Sequence, residues 1–453
     1  MPNTRAGNHA IVIGASVAGM LAASALSESF DRVTVYDRDD LPDKPEPRKG
    51  VPQSRHAHAL HASGASAMNE LLPGFSDDMI AAGGYPADTQ LDFNWYLDGY
   101  RLRPGTSGLT GIGLTRRLIE RLIRARVESL PSVRISDKST VDGLNAADGR
   151  VTGLRVRGES QPVAADLVVD ASGRGSRAPA WLRELGYPVP EVSEVRMNVM
   201  YVTRHYRASP GQLNGAAGAA VASYPGMQRG GVVVRQEESQ FVVALSGLLG
   251  VEPPMDDEGM LAFASELAGP EIATVMRESE PLDEPVKMRF PASVRHYYEK
   301  TRPRPDRFIV TGDALCSFNP VYAQGMTIAA IEARELRDAV AFHGLTELPA
   351  RFYDAAGKVV NRAWAISVGG DLTFPEVEGE RQPGSSLVNS YLHQFRRAAS
   401  VDPALGRAFV RVANMIEPPT SLLTPANVLR VLRSARKAGP VASGTPAAGF
   451  PTN

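Results

Sequence analysis

The sequence predicts an α/β fold in which a parallel sheet built from βαβ units carries an inserted β-rich region and is followed by C-terminal helices. Three stretches predict it. In the first, His9 to Asp39, an apolar run (Ala10 to Ile13) meets Gly14, an alanine-rich helical segment follows, and a β-branched run, Val33 to Val35, ends at Asp37. In the second, Asp166 to Arg177, a strand of buried type runs into Asp170 and a Gly/Ser turn containing Gly173. In the third, the strand Phe308 to Thr311 ends at Gly312-Asp313, and a loop with Pro320 and Gly325 leads to a helix from about Met326 to Val340. Strand, glycine turn and helix in that order point to parallel pairing.

The first stretch has the spacing of a unit that binds an ADP-containing cofactor. Gly14, Ser16 and Gly19 make Gly-x-Ser-x-x-Gly, with Ser where the fingerprint has Gly. Gly14 permits the tight turn, Ser16 is small enough for the backbone to approach a pyrophosphate, and Gly19 lets the helix pack closely on the strand. N–H groups at the start of the helix face the phosphates, helped by the helix dipole. Asp37, 23 residues after Gly14, is placed to accept hydrogen bonds from ribose hydroxyls. The rival reading is a signal peptide, because Arg5 precedes an uncharged run from Ala10 to Ser27. The two glycines and the acid at the end of the next strand argue against it.

A chain of 453 residues is long enough for two to three domain-sized units or one large α/β core with insertions. A net charge of −1 leaves no electrostatic footprint for nucleic acid. The single cysteine, Cys316, excludes an intramolecular disulfide and a Cys-rich metal site, and fits a cytoplasmic location.

The expected organisation is discontinuous. Residues 1–84, 112–192 and 295–345 form the nucleotide-binding part, 85–111 and 193–294 a β-rich substrate domain, 346–438 a helical region, and 439–453 a disordered tail. His56, His58 and His61 stand near a helix start with no carboxylate or Cys partner close by, so they read as lining a crevice rather than holding a metal. Leu114 to Ser129 is an amphipathic helix with Leu118, Leu122, Ile123 and Val127 inward. Arg116 in its first turn is either part of a solvated face or a ligand for a cofactor phosphate or ribityl group. From Val133 to Gly173 the sequence alternates like a β-meander. Pro425 to Gly439 is a basic amphipathic helix that packs on its own domain or touches a membrane surface; no integral membrane span is expected.

Together, the three stretches resemble the FAD-dependent monooxygenases of the single-component, aromatic-hydroxylase-like class (class A), over roughly Ala10 to Val340. Within that class Arg48 to Leu60, Val168 to Ser176 and Gly312 to Thr327 look most like the bacterial olefin epoxidases of polyether biosynthesis, themselves similar to squalene epoxidases. The resemblance implies a glutathione-reductase-type FAD-binding Rossmann domain with an inserted β-sheet substrate domain, in a cytoplasmic enzyme of secondary metabolism such as antibiotic biosynthesis. It implies that Gly14, Ser16, Gly19 and the Val17 and Ala18 amides hold the FAD pyrophosphate, and that Asp37 takes the adenosine ribose with Arg38 beside the adenine. Arg48 and Arg116 then contact the pyrophosphate or ribityl region. Asp170 and Gly173 belong to the middle motif, and Gly312, Asp313 and Pro320 to the C-terminal one, where Asp313 binds a ribityl hydroxyl. Gly325 and Met326, at a helix N-terminus, bring amides to the flavin N1–C2=O edge, where reduced flavin carries negative charge. Three positions depart from the hydroxylase pattern: Cys316 stands for His, Ala323 for the Gly before Gln324, and Thr327 for Asn.

In the implied reaction NAD(P)H reduces FAD, O2 adds to give a flavin C4a-hydroperoxide, and one oxygen atom passes to an apolar unsaturated substrate, free or held on a carrier protein. The flavin carries the chemistry, and no catalytic residue is assigned. An olefin needs no deprotonation, whereas a phenol hydroxylase gains from a general base, and no motif announces one; epoxidation is therefore the reading taken. Aromatic hydroxylation, reduction of prenyl double bonds and a non-enzymatic flavin-binding role are the alternatives. A flavin-dependent halogenase would carry a Trp-x-Trp-x-Ile-Pro segment, but Trp95, Trp181 and Trp364 are isolated. Tyr201, Thr203, Arg204 and the hairpin from Val232 to Ser246 are the expected walls of the substrate pocket.

Overall fold

The computed structural model describes residues 5–438; the expected disordered tail, 439–453, lies outside the described residues. Ala10, Ile11, Val12, Val33 and Val35 are completely buried, as continuous apolar runs must be when both faces of a sheet are covered. They sit in a five-stranded parallel sheet whose order is Phe308–Val310, Leu167–Asp170, Gly7–Ile13, Phe30–Tyr36 and Val133–Ser136. Ile13 lies opposite both Tyr36 and Asp170, and Asp170 opposite Val310. The strands therefore end level, and the turns at Gly14, Ala171 and Thr311 all leave the sheet at its carboxyl edge, where open α/β sheets bind ligands.

The meander expectation is corrected by this sheet. Val133–Ser136 and Leu167–Asp170 are parallel strands, and only Val141–Ala147, Arg150–Val156 and Val163–Ala164 form a three-stranded antiparallel sheet. All four residues of Leu167–Asp170 are buried, and so short a run carries no alternation by which to tell the two kinds of strand apart.

A second, eight-stranded sheet runs in the order Cys316–Ser317, Val286–His296, Val192–Arg207, Gln240–Gly247, Arg229–Gln236, Gly218–Val221, Phe93–Leu97 and Tyr100–Arg101. Its first strand follows directly on the Gly312-Asp313 turn, so the two sheets are tied together where the third motif leaves the first sheet. The helix Gly325–His343 packs against Val17–Leu26, and helices Leu348–Asp371, Ser385–Ala399, Pro403–Ala413 and Pro425–Ser434 follow it. Helix Pro425–Ser434 packs on Ser385–Ala399; Val431 is its buried residue, while Leu429 and Leu432 are exposed. Among the described residues no helix is long and apolar enough to cross a membrane.

Candidate functional site

A cavity of about 1810 Å³ starts at the carboxyl edge of the parallel sheet and extends under the second sheet to the C-terminal helices. Gly14, Ser16, Val17, Ala18, Asp37, Arg38, Arg48 and Arg116 line one end, and Gly173, Gly312, Asp313, Pro320, Gly325 and Met326 line the middle. Tyr201 and Thr203 also line it, and the far end is walled by Trp95, Val221, Ile366, Leu392 and Phe409.

Three residues expected in the site are not on this wall. Gly19 faces the turn instead: a Cβ there would lie 1.7 Å from the Gly14 carbonyl oxygen. Asp170 is fully buried, accepting from the Ser172 N–H (2.9 Å) and the Ser176 hydroxyl (2.6 Å), so it shapes the turn that presents Gly173. Burial pushes its carboxyl up, against those bonds. Arg204 is corrected by strand geometry, since neighbours on a strand face opposite ways. With Tyr201 and Thr203 toward the cavity, Arg204 turns to the Asp283 carbonyl (2.7 Å), pairs with Asp257 and lies over the Tyr206 ring. Arg204→Met is accordingly expected to leave the affinity for cavity ligands unchanged while lowering the melting temperature slightly; a weakened ligand isotherm would return Arg204 to the pocket.

The glycine-turn end is dense in charge. Asp37 Oδ2 accepts from the Ala15 N–H (2.6 Å) and from Arg48 (3.2 Å), and Oδ1 from the Asp39 N–H (2.8 Å). Arg48 also reaches Asp39 (3.5 Å), Glu120 (3.6 Å) and the Ala15 carbonyl (2.9 Å). Arg116 is bonded to Glu120 (2.9 Å) and to the Ser16 hydroxyl (3.1 Å), which itself donates to Glu120 (2.7 Å). Burial works to raise the Glu120 carboxyl, but Arg116, Arg48 and Ser16 together hold it below the usual range. Glu120 escapes the sequence reading, although its place four residues after Arg116 on a helix is a legible signal. The helix Arg116–Glu128 is anchored by Thr115, whose N–H (2.9 Å) and hydroxyl (2.5 Å) both donate to Glu237 of the second sheet's hairpin.

In the middle, Gly312 has φ +65°, and a Cβ there would lie 2.7 Å from that of Ala18. Glu332 holds this turn by accepting from the Thr311 hydroxyl and the Gly312 N–H, both at 2.7 Å, and burial raises it to about 7. The Asp313 carboxyl is raised by desolvation, with Arg116 and Arg174 opposing. The three histidines all line the cavity and are held neutral. His56 Nδ1 is 2.8 Å from Thr203 Oγ1 and is lowered to about 4 by desolvation, then by His205 and Arg55. His58 is lowered to about 3 by desolvation and Arg116, and His61 Nε2 meets the Tyr322 carbonyl at 3.0 Å. Among the described residues no group of three His, Cys, Asp or Glu side chains could hold a metal ion.

These residues fit a dinucleotide. The turn admits no Cβ at 14, 19 or 312, and this tightness sets the start of helix Val17–Leu26 at the cavity wall, where its first N–H groups can take a phosphate. Asp37 uses three of its roughly four acceptor positions, leaving Oδ1 able to take a hydroxyl. Gln324, just before Gly325, is 1% exposed, lines the cavity, and among the described residues neither its amide nitrogen nor its oxygen has a partner. Buried amides are normally satisfied, and both atoms are themselves buried, so this is an unmet polar group just beneath the wall at the helix start.

No protein-family profile matches the chain. Similar solved structures include the flavin-dependent brominase Bmp2 (14% identity, 95% of this chain and 98% of that one, TM-score 0.64). Others are a flavoprotein/dehydrogenase from Cytophaga hutchinsonii (16%, 95% and 98%, 0.65) and PqsL, a probable FAD-dependent monooxygenase from Pseudomonas aeruginosa (16%, 81% and 97%, 0.58). At these identities the likeness is one of fold, and it matches the α/β architecture with a parallel core sheet that the sequence predicts. Protein Rv3254 of Mycobacterium tuberculosis (strain ATCC 25618 / H37Rv) is 32% identical over 433 residues, spanning 91% of both chains. With that identity sustained across nearly the whole length, the chain belongs to the same family as Protein Rv3254.

Proposed function

We propose that this protein is an FAD- and NAD(P)H-dependent monooxygenase that transfers one oxygen atom from O2 to an apolar unsaturated small molecule. The observation that carries this reading is the continuity of the cavity from the glycine turn to an apolar chamber. At about 1810 Å³ it exceeds the roughly 300–1,000 Å³ of a pocket for one small ligand, leaving room for a dinucleotide and a substrate end to end. The flavin-dependent neighbours with the same fold support the cofactor assignment.

FAD, when bound, supplies the reduction of O2 and the transfer of oxygen. The amides of Val17 and Ala18, with Arg48 and Arg116, would hold the diphosphate, and Asp37 the ribose. Gly325 and Met326 open a 19-residue helix and offer N–H groups and a positive dipole end to negative charge on the ring system. The apolar chamber would exclude water from the reacting atoms. Epoxidation of a C=C bond is supported by the sequence resemblance to polyether-type epoxidases. Hydroxylation is the second reading, favoured by a buried carboxylate on the chamber wall, Asp371.

Oxygen uptake by the flavin-loaded protein, driven by NADH or NADPH in an 18O2 atmosphere, tests this. One labelled atom per product molecule is the expected result. Consumption of reductant with saturation of a C=C bond and no oxygen uptake would move the assignment to a reductase, and a protein that binds no flavin would end the reading.

A further inference from the structure

The last helices of the chain carry a charge that the rest does not. From Ser385 to Ala438 there are eight Lys and Arg residues against two carboxylates, in a chain of net charge −1. Both carboxylates are paired within the region, Asp402 with Arg430 (3.1 Å) and Glu417 with Arg411 (2.6 Å). Arg396 is held by Asp98 (2.9 Å). Among the described residues Arg407, Arg433, Arg436 and Lys437 have no ion-pair partner, and all four are exposed. An acidic run, Glu376, Glu378 and Glu380, stands on the loop before these helices.

Apolar surface lies among these cations. Val431 is the buried residue of helix Pro425–Ser434, while Leu429 and Leu432 are 52% and 64% exposed. Leu429, Leu432 and Arg433 recur at helical spacing and so share one face, which Arg436 continues in the turn Ala435–Lys437. On helix Ser385–Ala399, Leu387 is 77% exposed and lies one turn before Tyr391, whose hydroxyl donates to the Leu422 carbonyl (2.8 Å). None of these three leucines lines the cavity, so their exposed surface faces outward. Val388, next to Leu387, and Leu423, next to Leu422, do line it. The apolar chamber therefore reaches the edge of this outer face.

The combination selects among occupants. A second copy seated on this face would set one excess of positive charge against another. A nucleic acid would satisfy the arginines but leave the leucines between them in water. An anionic bilayer takes both, apolar side chains at the boundary of headgroups and acyl chains and cations at the phosphates. We propose that helix Pro425–Ser434 docks this protein on an anionic lipid surface. Leu429 and Leu432 enter the acyl boundary, and Arg433, Arg436 and Lys437 meet the headgroup phosphates. The docking stands apart from the cofactor reading.

The probes are vesicles of phosphatidylcholine alone and of phosphatidylcholine with an equal part of phosphatidylglycerol, sedimented with the full chain. The wild type is expected to prefer the anionic vesicles and to be released as salt rises. Arg433→Gln with Arg436→Gln should weaken binding by roughly fivefold for each arginine. Leu429→Ser with Leu432→Ser should weaken it by roughly tenfold for the pair. All four side chains are exposed, so melting temperatures should stay at the wild-type value. Leu432→Trp should emit further to the blue on binding and be quenched by brominated acyl chains, signals that contact through charge alone does not produce. Failure to sediment with the anionic vesicles, or binding unmoved in the leucine pair, would overturn the proposal. So would a dimer that the leucine pair dissociates, which would give the face to a second copy. A blue shift of Leu432→Trp with an acidic carrier protein but not with vesicles would give it to a protein partner and equally overturn the proposal. Flavin is measured on the same samples: loss of sedimentation with flavin bound counts against this face alone, and sedimentation without flavin counts against the cofactor reading alone.

Discussion

Gly19→Ala is expected to cost about 3 kcal/mol or more of folding stability, the top of the usual range for overpacking. Two effects oppose each other at this position. Alanine in a helix gains up to about 1 kcal/mol over glycine by propensity. Against that, its methyl group would lie 1.7 Å from the Gly14 carbonyl oxygen, an overlap with backbone that no rotamer relieves. Relief requires helix Val17–Leu26 to back away from the turn, and this helix packs on both the parallel sheet and helix Gly325–His343. The overlap wins. Gly175→Ala is the control, because a Cβ there meets nothing within 4 Å, and its effect should stay within about 0.5 kcal/mol. Urea denaturation measures both; equal midpoints for the two variants would refute the account of the turn.

Arg48→Met is expected to cost about 3 kcal/mol at neutral pH, the cost of breaking a buried ion pair by removing one partner. Arg48 faces three carboxylates, Asp37, Asp39 and Glu120, whose side chains are all at most 14% exposed. Methionine matches its bulk but leaves those charges with fewer partners. The pH dependence follows from Glu120, held in the folded protein below its ordinary 4.5. A depressed carboxyl contributes stability above its unfolded value and loses it as pH falls through the folded one. The gap between wild type and Arg48→Met should therefore be widest near neutrality and narrow below about pH 4.5. Melting temperatures across that range decide it; a gap that is constant with pH would mean lost packing rather than lost charge pairing.

What is legible in the sequence is what short-range geometry dictates. Gly14, Ser16 and Asp37 are brought together by one βαβ unit, and Gly312 and Gly325 by one strand, loop and helix, so spacing alone places them. Glu120 meets Ser16 across 104 residues and Asp371 meets Asn319 across 52, contacts that exist only once two sheets and a helix have been assembled. Gln324 stands inside a recognised motif, yet only burial shows that its amide lacks a partner. Arg204 is misplaced by sequence alone, although the period of two along Tyr201, Thr203 and Arg204 separates it from the other two. The strand at Leu167 reads as part of a meander because so short an apolar run carries no sign of what pairs with it, and the alternation of Val133–Ser136 looks the same in parallel and antiparallel pairing.

The cavity's two ends are drawn from different parts of the sequence. Residues from the first βαβ unit and the Gly312 turn make one, with backbone contacts that tolerate no added atom at several glycines. Side chains from the eight-stranded sheet and the C-terminal helices make the other, where Trp95, Val221, Ile366, Leu392 and Phe409 only fill space. Selection can thus reshape the chamber one residue at a time while the glycine turns stay fixed. In a lineage of such proteins, change should accumulate along the helices from Leu348 onward, and new ligand preferences should arise there without a new fold.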